Sequence, residues 1–407
     1  MVRTPLSALA TLLLSLGATA YAEAPVIAVG PPPAAQDPCA PGRAGHWSQL
    51  PSSAAQPGPG LGGSFWGKEG LLAGRATKLL RFDPCQRRWS DVTGQEEWRR
   101  LAQPSLLHDG RSYRVDDVWV FPAPDRATSR DIFAGGTVRL PSGAEVPLPA
   151  RGAPSPRSHY ALAPAEGALI VWGGWAEKQG PVGDGAILDL EQPAWRPISM
   201  AGAPARRVSP VVAWTGQRLL IWGGADAEDA GAPLEPLADG ARYDPTADRW
   251  EPMSQENAPA GRFNRVSAWT GRQLLVLSGR VGPVPGAARG ATQGALYDPA
   301  ADRWTPISGV PADLPEASWL ASFVDHHGHV LLFGTFETMR LYFLDPARGA
   351  LEPVDLPPQL KDRILSGIAW SGKRLFLWGG GTAVRSDPRE PPKPPIPQVD
   401  GWVYEPR

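Results

Sequence analysis

The chain has 407 residues, with 40 Lys and Arg against 41 Asp and Glu, a formal charge of −1. So even a balance supplies no basic surface for nucleic acid or for an anionic membrane. The length allows one large domain or two ordinary ones, so internal repeats have to be sought before any division by size.

The first residues, MVRTPLSALATLLLSLGATAYAEAP, combine one cation (Arg3), an apolar run from Leu6 to Leu16, and the small-residue pattern Ala20-Tyr21-Ala22. This is the form of a secretory signal over residues 1–22, cleaved after Ala22, and it implies an exported protein, periplasmic or extracellular. The run is too short to span a bilayer, and no later stretch reaches the roughly 20 apolar residues a spanning helix needs. A transmembrane segment is therefore not expected. Residues 23–44 are Pro- and Ala-rich and read as a flexible or extended leader. Cys39 and Cys85 are the only cysteines. In an oxidising compartment two cysteines most simply form one disulfide, and neither has the neighbours a closed zinc site requires. No metal or cofactor is expected.

From residue 45 onward, short phrases recur. GARYDPTADRWEPMS (240–254) returns as GALYDPAADRWTPIS (294–308), with a divergent copy in RFDPCQRRWSDV (81–92) and a fragment in GHWSQLP (45–51). Ahead of these stand apolar runs closed by glycine: LIVWGG (169–174), LLIWGG (219–224) and LFLWGG (375–380), with worn copies LLVLSG (274–279) and VLLFGT (330–335). Further upstream lie VVAWTGQR (211–218), VSAWTGRQ (266–273) and GIAWSGKR (367–374). Runs this short, bounded by glycine and Asp-Pro turns and without helical periodicity, predict four strands per unit.

A double glycine, then a tyrosine, then a tryptophan, in a unit of about 50 residues, resembles the kelch repeat. The resemblance implies an all-β, kelch-like β-propeller within the galactose-oxidase-type superfamily, occupying residues 45–407 as one domain. Blades are expected at 58–92, 93–152, 153–200, 201–255, 256–309 and 310–358, with a last one from 359. Seven four-stranded blades result, or six if 93–152 is an insertion. The last unit stops after its third strand at GWVYEPR, and GHWSQLP supplies the missing fourth, closing the ring with the N-terminal strand. A Cys39–Cys85 bond would pin that seam.

Sixteen residues before the first glycine of each doublet, or its equivalent, stands an arginine: Arg157, Arg207, Arg262 and Arg363, with Ser318 as the exception. On a kelch-like blade this position begins the innermost strand. The arginines, with Arg206 and Arg265 beside them, are candidates for binding an anionic ligand bidentately; the alternative is that each holds backbone carbonyls of the scaffold. The loops 225–239 (acidic), 280–293 (basic) and 382–399 (proline-rich) leave the same end and are candidate specificity loops. Asp325 to His329 (DHHGH) reads as an exposed turn. Asp244, Asp298 and Asp345 precede proline and read as turn residues. No nucleophile elbow, catalytic cysteine or His-Glu-x-x-His is present.

The expected function is a noncatalytic, exported interaction module, monomeric, recognising a protein or glycan through the loop-rich, arginine-bearing face. The alternative is a sugar-processing enzyme similar to the sialic acid mutarotases, with Glu316 and His159 as its acid-base candidates.

Overall fold

The computed structural model describes residues 26–27, 44–51, 63–67, 70–75, 78–92, 113–115, 118–125, 130–140, 142, 144–176, 179–228, 232–263, 266–277, 279–281, 289–290, 293–311, 320–324, 327–335, 339–361, 363–364, 367–379, 381–382, 396–397 and 400–406. Residues 1–22, read as a secretory signal, and Cys39 lie outside them. Strands dominate throughout, and the recurring unit is an antiparallel meander of four. Such meanders cover residues 63–91, 161–197, 211–252, 266–306 and 320–353. The poorly matched stretch 93–152 contains a meander of its own, formed by Tyr113–Val115, Val118–Asp125, Arg130–Arg139 and Glu145–Pro147.

The remaining sheet is assembled from both ends of the chain. Gly367–Trp370, Leu375–Trp378 and Gly401–Glu405 supply three strands, and His46–Gln49 pairs antiparallel with Gly401–Glu405 as the fourth. His46 stands opposite Glu405 and Gln49 opposite Trp402.

Each meander follows from its sequence. Leu219–Trp222 is buried at all four positions, as is Leu274–Leu277, because apolar residues on both faces of these second strands meet other strands. The hairpin before it is set by Thr215, whose Oγ1 accepts the N–H of Arg218 at 2.9 Å, with Gly216 at φ 96°. Gly224 (φ 86°) closes the second strand, where an added Cβ would lie 2.6 Å from the Val208 carbonyl oxygen. Only glycine satisfies both conditions.

The chain forms two compact units: residues 1–31, 109–320 and 345–351, and residues 32–108, 321–344 and 352–407. In the first, Trp172 lies against Trp250 (5.6 Å between rings), and Trp222 against Trp304 (5.3 Å). A second-strand tryptophan therefore meets the fourth-strand tryptophan of the next meander. The fourth-strand Nε1 donates to the preceding meander: Trp250 to the Ser199 carbonyl (2.9 Å) and Trp304 to that of Ser254 (2.8 Å).

The second unit repeats this interface with the ends of the chain. Trp378 of the last sheet lies 4.4 Å from Trp89 of the 63–91 meander, and Trp89 Nε1 donates to the Pro51 carbonyl at 3.2 Å. Trp47, on the N-terminal strand, donates to the Asp355 carbonyl at 2.9 Å. It packs on Tyr404 at 4.9 Å, as Trp250 packs on Tyr243 at 4.9 Å. The N-terminal strand thus carries the contacts of an ordinary fourth strand.

Within the stretch read as a leader, Val26–Ile27 is a strand, parallel to Ala161–Ala165. Two adjacent β-branched residues between Pro25 and Gly30 are the local reason it extends.

Candidate functional site

The four repeated arginines occupy equivalent places, as their spacing predicts, but they do not form an open ring. Arg157, Arg207 and Arg262 are 0% exposed and Arg363 is 4% exposed. Arg207 Nε donates to the Ala205 carbonyl (2.8 Å), Nη1 to those of Gly223 (3.0 Å) and Asp239 (3.1 Å), and Nη2 to the Asp239 carboxylate (3.0 Å). Arg157 repeats the pattern with Ser155, Gly173 and Asp184. Arg363 pairs with Asp400 at 2.8 Å. Burial alone would raise the Asp400 carboxyl, but the Arg363 guanidinium outweighs it and holds the group below the usual carboxylate range. These guanidinium groups brace the doublet end of their own sheet, so their donors face backbone rather than solvent. Arg265 lies outside the described residues.

The aspartate partners were missed by sequence reasoning. Asp184, Asp239 and Asp400 each precede the glycine that opens a third strand. Their separations from the arginine are 27, 32 and 37 residues because loops of different length intervene. The readable signal was the Asp-Gly pair, which breaks at Gln293-Gly294. There Arg262 donates to the Gln293 carbonyl at 2.6 Å, and burial pushes its pKa down to about 10.

The braces support a second layer. Just past the glycine doublet, or its equivalent, four of the loops form a short two-stranded ribbon: Trp175–Ala176 with Gly180–Pro181, Ala225–Asp226 with Glu235–Pro236, Arg280–Val281 with Arg289–Gly290, and Gly381–Thr382 with Ile396–Pro397. The 63–91 and 320–353 meanders close the same end directly, with Arg75 opposite Lys78 and Thr335 opposite Met339. The arginine segments pair with the ribbons' first strands, Arg157 opposite Ala176 and Arg363 opposite Thr382, with a Val208–Ala225 bridge at the equivalent place. Under the second ribbon Val208, Ala225 and Phe263 form a buried cluster against which Trp175 and Leu234 pack. Arg206 fixes the ribbon's flank, pairing with Asp226 (3.0 Å) and donating to the Ala227 carbonyl (2.7 Å).

The opposite end of each meander is spent on structure. Asp244 Oδ1 accepts the N–H groups of Thr246 and Ala247, and Asp298 and Asp345 make the same turn. Hydrogen bonds from Ala247 and Thr246 hold the Asp244 carboxyl below its ordinary pKa, against a small upward effect of burial. Asp248, left-handed at φ 47°, accepts the Tyr243 hydroxyl (2.5 Å) and the Ser199 N–H (3.0 Å). Burial first, then this carboxylate, push the Tyr243 hydroxyl up to about 12. His329 lies beside Phe343, ring centroids 5.2 Å apart and tilted by 49°. Among the described residues no group of three or more His, Cys, Asp or Glu is placed to hold a metal, and no cysteine is free.

Of the two acid-base candidates, Glu316 lies outside the described residues. His159 sits in the left-handed region at φ 56°, its Nδ1 2.9 Å from Ser158 Oγ and its carbonyl accepting from Ser209 at 2.7 Å. It thus helps turn the chain between neighbouring meanders.

The described residues form a repeating four-stranded β scaffold, four of whose connecting loops are rooted by two-stranded ribbons. Residues 140–335 match the family model described as the KLHDC2/KLHL20/DRC7 Kelch-repeats domain. No curated protein matches the chain. The match supports a kelch-repeat protein. Kelch repeats generally mediate protein interaction, in keeping with a noncatalytic binding module.

Proposed function

We propose that this protein is an exported, monomeric kelch propeller of seven blades, closed by its N-terminal strand, which binds a partner protein through the ribbons at the doublet end. The observation that carries the reading is the recurrence of a rooted ribbon at one structural position with changing chemistry. The 225–236 ribbon carries Asp226, Glu228 and Glu235, whereas the 280–290 ribbon carries Arg280 and Arg289. A scaffold that only needed to connect strands would do so with tight turns, as it does at the other end. The buried arginines contribute by holding that end rigid. Arg265, three residues after Arg262 in the sequence, is the arginine proposed to reach a ligand.

The test is to replace residues 228–233 by a Gly-Ser link, which leaves Ala227 and the packed Leu234 in place. The expected result is an unchanged folding transition with loss of the partner otherwise recovered by chemical cross-linking in the envelope fraction. Retained cross-linking to the same partner would contradict the reading. Export is read separately: N-terminal sequencing should begin at Glu23, and non-reducing peptide mapping should join Cys39 to Cys85.

A further inference from the structure

The 161–197 meander differs from its neighbours at its inner edge. In the 211–252 and 266–306 sheets the strand order begins at the first strand of the meander, Val211–Trp214 or Val266–Trp269. In the 161–197 sheet one more strand precedes it: Val26–Ile27 lies parallel to Ala161–Ala165, with Val26 opposite Ala161 and Ile27 opposite Leu162. The same two residues also lie against Val211–Trp214 of the next meander.

This addition is short for identifiable reasons. Pro25 has no N–H, and Gly30 and three prolines follow within six residues of Ile27. On the acceptor, Pro164 also lacks an N–H. A proline is tolerated in a sheet where that group would not be bonded to a neighbour. Since the strand pairs with Ala168–Trp172 along its whole length, Pro164 turns its nitrogen to the inner edge and ends any added ladder there. What remains is a backbone site of about two residues, held in the parallel pairing that is weaker per residue than antiparallel.

We propose that the inner edge of Ala161–Ala165 is a strand-acceptor site for an extended peptide, and that Val26–Ile27 of the chain's own leader occupies it as a displaceable internal ligand. Recognition is by main-chain hydrogen bonds, so the site selects an extended segment entering parallel to Ala161 rather than a particular side chain. Tethering keeps the leader at an effective concentration of roughly millimolar. A free segment must therefore either outcompete it or arrive when it has left. The inference is independent of the ribbon surface, since it rests on the first-strand edge of the sheet and not on the loops beyond the doublet.

The test compares the full mature chain with its V26P/I27P variant, which cannot donate at either paired residue. The probe is a fluorescent synthetic peptide of residues 23–31, read by anisotropy. The variant is expected to bind it at least tenfold more tightly than wild type, and a peptide carrying the same two prolines to bind neither chain. Hydrogen exchange across residues 159–165 should quicken in the variant and slow again when the peptide is added. Equal binding by the two chains, no binding by either, or unchanged exchange across 159–165 would overturn the proposal. A V26P/I27P chain that fails to fold would overturn it as well, because the leader would then be part of the scaffold.

Discussion

Arg207→Ala removes a side chain that meets no solvent and serves four acceptors. The Gly223 carbonyl is the buried one, and leaving such a group without a donor costs about 1–3 kcal/mol. The Asp239 carboxylate is 39% exposed, so water replaces its lost partner, and that bond adds only about 1 kcal/mol or less. The void left by the stem adds a packing loss of about 1 kcal/mol. The expected destabilisation is about 2–5 kcal/mol, most of it from the unpaired Gly223 carbonyl and the lost packing. Arg207→Lys should recover less than half of it, because one ammonium cannot reproduce a planar fork aimed at several acceptors. The neighbouring Arg206→Ala is the control: its side chain is 41% exposed and pairs with Asp226 at the surface, so its cost should stay below about 1 kcal/mol. Guanidinium unfolding followed by tryptophan fluorescence reads all three. An Arg207→Ala protein within 1 kcal/mol of wild type, or no more affected than Arg206→Ala, would refute the bracing argument.

Three further outcomes follow from the same geometry. Gly240→Ala would place a Cβ 2.4 Å from the Ile221 carbonyl oxygen and 2.9 Å from Trp222 Cα; these backbone atoms cannot yield, and a loss above about 3 kcal/mol is expected. Gly216→Ala meets open space and should cost only the strain of φ 96°, about 1 kcal/mol, with thermal midpoints separating the two. The Tyr243 hydroxyl is raised to about 12 in the fold against 10.0 for the free side chain, so its stabilisation is complete below pH 10 and is lost as pH rises from 10 to 12. Denaturation midpoints should fall over that window, and less steeply in Tyr243→Phe. Arg262 runs the other way: a cation whose folded pKa is depressed to about 10 weakens the fold at neutral pH and does so less once pH passes 10. Gln293→Asp supplies the carboxylate found at the equivalent Asp184 and Asp239, and should stabilise at pH 7 by about 1 kcal/mol or more, read by the same unfolding titration.

Much of the scaffold was legible because its parts recur at fixed spacing. The Tyr-Asp-Pro…Asp-Arg-Trp phrase could be read as strand, turn and strand, and each side chain in it has a contact that repeats: Tyr243 and Tyr297 both donate to the aspartate five residues on. GHWSQLP could be placed as a fourth strand because Trp47 stands where Trp250 stands. The arginine spacing located the right positions but not their role. Exposure of a side chain depends on what the intervening loop returns to it, and those loops vary in length, which also hid Asp184, Asp239 and Asp400. The ribbons escaped notice for a related reason. Two-residue pairings such as Ala225–Asp226 with Glu235–Pro236 are made by tertiary support from Val208 and Phe263, not by local propensity. Val26–Ile27 is the extreme case: its β-branched pair favours an extended chain, but only the edge of Ala161–Ala165 makes it a strand.

The central claim is that the ribbon end, and not the turn end, meets a partner. It is tested most directly by a photo-crosslinking amino acid placed singly at Glu228 and Pro233, both exposed on the 225–236 loop, and at Ala247 and Ala301 in the turns of the opposite end, in the protein in its own cellular compartment. The account predicts one shared crosslinked partner from both ribbon positions and none from the turns. The same partner captured from Ala247 and Ala301, with the ribbon positions silent, would contradict it.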